Sequence, residues 1–101
     1  MALKIGIFDS GVGGLTVYQA LRNELSNEGF VYLGDTARVP YGTKSKDIVT
    51  EYSLQDAKFL IDQGVKLVVA ACNTASAFAL NALKQELELP VMGVIEPGAK
   101  A

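Results

Sequence analysis

The chain has 101 residues, half of them apolar and a fifth charged, with a net charge of −2. That length fits one domain over residues 1–101, and the apolar share excludes wholesale disorder. With no histidine and one cysteine, Cys72, the chain cannot build a Ser-His-Asp triad, a Cys-His dyad, a histidine metal site or an internal disulfide.

Residues 3–8 (LKIGIF) form a continuous apolar run that stops at DSGVGG, the pattern of a strand buried on both faces. From Gly14 onward Leu15, Tyr18, Leu21 and Leu25 recur at helical spacing, and Asn27 to Gly29 closes that helix. Residues 30–33 (FVYL) make a second strand, ended by Gly34-Asp35. Residues 36–43 (TARVPYGT) read as a loop punctuated by Pro40 and Gly42.

Ser45 is placed to cap a longer helix reaching to about Gln63, with Asp47 in its first turn and Gly64 just past its end. On that helix Val49, Tyr52, Phe59 and Leu60 are expected to share the buried face. Lys44, Lys46, Glu51, Asp56 and Lys58 are expected to be solvated. A third strand covers 65–71 (VKLVVAA). A third helix opens at Asn73-Thr74, carries Leu80, Leu83 and Leu87, and cannot pass Pro90. A fourth strand covers 91–95 (VMGVI), before Glu96-Pro97-Gly98. Strand–helix alternation with apolar strands predicts an α/β fold: a doubly wound, flavodoxin-like parallel sheet of four strands with helices on both faces.

In such sheets ligands bind beyond the carboxyl ends of the strands. Here those ends carry Asp9-Ser10-Gly11, Gly34-Asp35-Thr36, Cys72-Asn73-Thr74 and Glu96-Pro97. The glycines of DSGVGG suit a tight turn into a helix whose N–H groups attract an anion. They match a dinucleotide fingerprint only in part, since Thr16 stands at the third glycine position, although Asp35 lies where a ribose-binding acid would sit. Cys72 ends a strand and precedes a helix N-terminus, where the helix dipole favours thiolate. Asn73, Thr74 and Ser76 either cap that helix or donate hydrogen bonds to a bound carboxylate. On these residues alone, a catalytic site and a non-catalytic small-anion or nucleotide-binding module both remain open.

Four segments, IGIFDSGVGGLTV (5–17), YLGDTARVPYG (32–42), AACNTASA (70–77) and PVMGVIEPG (90–98), closely resemble glutamate racemase, of the aspartate/glutamate racemase superfamily. They match its N-terminal half in order and spacing. The resemblance implies cofactor-independent interconversion of L- and D-glutamate for bacterial peptidoglycan, without metal, pyridoxal phosphate or nucleotide. It implies that Cys72 is one of two catalytic cysteines, and that Asp9 is the carboxylate assisting its proton handling. Ser10, Pro40, Tyr41, Gly42, Asn73 and Thr74 match positions that hold the amino-acid substrate.

The family's second domain, with its own cysteine, has no counterpart in these residues. A single chain is therefore expected to be weak or inactive, unless a homodimer sets two Cys72 thiols across one strand-end cleft. The expected ligand is glutamate or a similar small dicarboxylic amino acid. The basic residues form no stripe for nucleic acid, and no segment approaches a membrane span. A lone free thiol suits the reducing cytoplasm.

Overall fold

The computed structural model describes residues 3–10, 14–36 and 44–94. Strands and helices alternate over them: β1 (Lys4–Asp9), α1 (Gly14–Glu24), β2 (Phe30–Gly34), α2 (Lys46–Asp62), β3 (Val65–Ala70), α3 (Asn73–Glu86) and β4 (Val91–Gly93). The strands form one parallel sheet in the order β2-β1-β3-β4. This is the expected doubly wound arrangement. The first strand begins one residue later than expected and takes in Asp9, which pairs with Gly34.

Successive residues of a strand face opposite sides, and that alternation splits the core in two. Phe8, Val68, Ala70 and Val91 face α2 and α3, meeting Val49, Ala57 and Leu60 from the first and Ala75, Ala79 and Leu83 from the second. Ile5, Ile7, Val69 and Ala71 face the other way, towards Val17, Tyr18 and Leu21 of α1. Leu60 and Leu83 are completely shielded, and burying a side chain of that size stabilises by about 1.5–3 kcal/mol.

The ends of α2 follow the sequence signals. The Ser45 hydroxyl accepts the Ile48 N–H at 3.2 Å. Gly64 adopts φ +85°, a left-handed conformation that costs glycine nothing, and its N–H reaches the Ile61 carbonyl at 2.9 Å.

The buried face of α2 differs from expectation. Phe59 is 48% exposed, whereas Ser53 and Asp56 are buried. At about 100° per residue, Asp56 lies about 20° from the Val49 direction and Phe59 about 80° from it. The position on the wheel decides, and a polar residue on the inward stripe is carried inside. Leu15 is likewise exposed, standing about 120° round the helix from Leu21. Leu25 falls after the last residue of α1 and is also exposed.

Ser76, expected either to cap α3 or to donate to a bound carboxylate, has a structural task instead. Its hydroxyl donates to the Ala70 carbonyl at 3.0 Å and accepts the Val94 N–H at 3.0 Å. One side chain on α3 thereby ties the end of β3 to the chain leaving the short β4. Ser76→Ala should cost about 1–3 kcal/mol in urea unfolding, because Val94 loses its acceptor. Amide exchange at Val94 should accelerate with it; unchanged exchange there would show that the tie is dispensable.

Candidate active site at the carboxyl ends of the strands

The sheet order locates the crevice. The connection from β1 to β2 runs over one face through α1, while α2 and α3 occupy the other. The windings therefore diverge between β1 and β3, the switch point at which open α/β sheets bind ligands. The β1–β3 pairing runs to Phe8 and Ala70 and is continued by the Ala71 N–H donating to the Phe8 carbonyl at 2.8 Å. Asp9-Ser10 and Cys72 consequently leave the sheet on neighbouring strands. All three are buried.

Asp9 is fully buried on the α1 side. Its Oδ2 accepts the Gly14 N–H at 2.7 Å and the Tyr32 hydroxyl at 2.6 Å. A carboxylate set on the first N–H of a helix is favoured by the helix dipole. Position 14 must be glycine for this contact, because a Cβ there would stand 2.0 Å from Oδ2. The same carboxylate occupies the place that a pyrophosphate would need at the start of α1. Asp35 is buried, and its N–H is bound to the Asp9 carbonyl at 3.0 Å. Asp35, one of the features that kept a nucleotide module open, is thus buried rather than offered to a ligand at the rim.

Cys72 is the N-cap residue of α3, with extended backbone and a side chain that makes no capping hydrogen bond. It belongs to the cluster beneath α2 and α3, on the opposite side from the Asp9 contacts. Its carbonyl accepts the Ser76 N–H at 2.9 Å. Asn73 and Thr74 occupy the first turn of α3, Asn73 exposed and Thr74 half-buried, so they are open to a ligand at that helix end. Pro40, Tyr41 and Gly42 lie outside the described residues, as do Gly11, Gly13, Glu96 and Pro97.

Two participants carry no motif of their own. Tyr32 was visible only as a strand residue; the pairing of Ile7 with Tyr32 puts it on the same side as Asp9, two residues further on. Burial first, then the hydrogen bond and the charge of Asp9, push its hydroxyl from 10.0 up to about 12. Gly14 belonged to a glycine-rich turn, and its tie to Asp9 depends on a contact that no motif encodes.

No family model matches the chain. Over 98 residues it is 64% identical to the glutamate racemase of Aquifex pyrophilus, covering 97% of this chain and 39% of that protein. The solved structure of the A. pyrophilus enzyme superposes with a TM-score of 0.90 over 95% of this chain and 38% of that one. A Francisella tularensis glutamate racemase solved with D-glutamate is 48% identical, with a TM-score of 0.83 over 90% of this chain and 35% of that one. An Escherichia coli glutamate racemase solved with L-glutamate and the activator UDP-MurNAc-Ala is 36% identical, with a TM-score of 0.88 over 94% of this chain and 36% of that one.

The fold and the strand-end residues thus define a flavodoxin-like α/β domain with a buried carboxylate and a thiol at its switch point. Sequence and structure together identify it as a glutamate racemase-like domain, and they do not support the nucleotide-module alternative. It spans a little over a third of the length of the relatives it matches.

Two outcomes test the Asp9 cradle. Glycine to alanine in a helix ordinarily gains up to about 1 kcal/mol. Gly14→Ala should instead destabilise by roughly 1–3 kcal/mol in denaturant unfolding, since the Asp9 contact must break. The neutral Tyr32 phenol is favoured in the folded state, so its contribution is present in full below pH 10.0 and lost as the pH rises through about 12. In an ultraviolet alkaline titration, Asp9→Asn should bring the Tyr32 ionisation to lower pH, leaving only the effect of burial.

Proposed function

We propose that this domain supplies one of the two proton-transfer groups for cofactor-independent interconversion of L- and D-glutamate, with Cys72 as that group. The observation that carries the reading is the position of Cys72. It is a buried thiol at the β1–β3 switch point, on the N-terminus of α3, one strand away from Asp9. Glutamate as substrate rests on the similarity to relatives solved with D-glutamate and with L-glutamate.

As a thiolate, Sγ takes the proton from the substrate α-carbon. The Cα–H bond breaks, an S–H bond forms, and the electron pair stays on the α-carbon, delocalised into its carboxylate. Returning a proton from Sγ restores the original configuration, whereas a proton delivered to the opposite face inverts it. Asp9 assists the proton traffic of Cys72. Ser10, Asn73 and Thr74, together with Pro40, Tyr41 and Gly42, hold the carboxylates and the ammonium. The N–H groups at the start of α3 favour a carboxylate there.

Inversion needs a second acid or base on the far face, and the chain has one cysteine. In a two-fold homodimer whose strand-end edges meet, the partner's Cys72 would fill that position. The setting proposed is the bacterial cytoplasm, where a free thiol stays reduced and D-glutamate serves peptidoglycan synthesis.

Deuterium incorporation at the glutamate α-carbon in heavy water separates the two half-reactions. The chain should catalyse exchange, and Cys72→Ala should abolish it while leaving the fold intact. Inversion should rise more steeply than linearly with chain concentration below the dimer dissociation constant. Absence of exchange, with glutamate binding the same in Cys72→Ala, would remove the catalytic assignment.

A further inference from the structure

We propose that Tyr32 is a positioning residue of this site, its hydroxyl fixing the rotation of the Asp9 carboxylate that assists Cys72. The inference rests on the reading of Asp9 and Cys72 given above.

A carboxylate can turn about its last side-chain bond, where the torsional preference is broad. The Gly14 N–H, 2.7 Å from Oδ2, comes from the backbone of a helix and supplies one anchor. A single donor from one direction restricts the rotation of a carboxylate only in part. The Tyr32 hydroxyl reaches the same oxygen from β2 at 2.6 Å, a length typical of a hydroxyl bonded to a charged acceptor. Two donors from different elements thus converge on one oxygen and restrict its rotation further.

Tyr32 is itself held. The Tyr18 ring of α1 lies 5.9 Å from it at an interplanar angle of 28°, and meets Phe30 edge-on at 5.6 Å and 86°. Phe30 and Tyr32 are two residues apart on the same side of β2, so Tyr18 packs between them. Although 38% of Tyr32 is exposed, its hydroxyl is spent on the buried carboxylate. Among the described residues, Asp9 from β1 and Tyr18 from α1 are ionisable groups set against it. A purely architectural role is poorly motivated, because five residue pairs already join β1 to β2.

The test is the α-proton exchange of glutamate by the 101-residue chain, with saturation curves for wild type, Tyr32→Phe, Asp9→Asn and the double variant. Tyr32→Phe keeps the ring stack and removes only the donor. It should lower the exchange rate at saturating glutamate roughly three- to tenfold, the scale of one ordinary hydrogen bond. The half-saturating concentration should stay unchanged. Asp9→Asn should fall further, and adding Tyr32→Phe to it should cause no extra loss, since Tyr32 acts through Asp9. Exchange by Tyr32→Phe at the wild-type rate, or an additive double variant, overturns the positioning role while leaving the function of Cys72 standing. Absence of exchange in the wild type overturns the functional reading and this inference with it. Circular dichroism of each variant separates loss of fold from loss of rate.

Discussion

The pairing of β1 with both β2 and β3 is the constraint from which the site follows. A strand in the middle of a parallel sheet must be apolar on both faces, and β1 meets that demand with Ile5, Ile7 and Phe8. Its neighbours are reached by crossovers on opposite faces. The carboxyl ends of β1 and β3 therefore open into a gap flanked by the N-termini of α1 and α3. Because parallel strands all present the same end, residues distant in sequence arrive at that rim without any specific attraction between them. Asp9 and Cys72 are neighbours through strand order, 63 positions apart in the chain.

The two helix N-termini at this gap are used differently. That of α1 is met by the Asp9 carboxylate through the Gly14 N–H. That of α3 begins at Cys72, whose side chain does not cap it. A helix end stabilises negative charge whatever carries it, so a thiolate or a substrate carboxylate is favoured at α3. At α1 a second anion would face the one already there. The asymmetry favours an added anion on the Cys72 side of the gap, and it argues physically against a bound phosphate at the start of α1.

Much of this was legible in the sequence because the signals are local. Alternating apolar runs, the Ser45 cap, Gly64 and Pro90 each report the backbone conformation of a few residues. They located every strand and helix to within a few positions. The segments around Asp9 and Cys72 pointed to the functional edge for the same reason: a strand's carboxyl end is a local property. The outward turn of Phe59 and the burial of Asp56 are not legible from residue type, because angular position on the helix decides them. The role of Tyr32 is not legible, and that of Ser76 differs from the capping or carboxylate-binding expected, for another cause. Their roles depend on strand register and on how α3 sits over β4, and neither is encoded near the residue concerned.

The Asp9 cradle also shows how an acid can be buried to this degree. An unpaired buried carboxylate would be costly, and the protein offsets that cost with fixed donors. The Gly14 N–H is committed by the helix, and the Tyr32 hydroxyl by the Tyr18 stack. Both donors come from ordered elements, so the orientation of the carboxylate is built into the fold. A mobile acid exposed at the rim would be easier to solvate, but it would spend its charge on water. Fixing Asp9 between one helix N–H and one aromatic hydroxyl keeps its charge directed, as the proposed assistance to Cys72 requires.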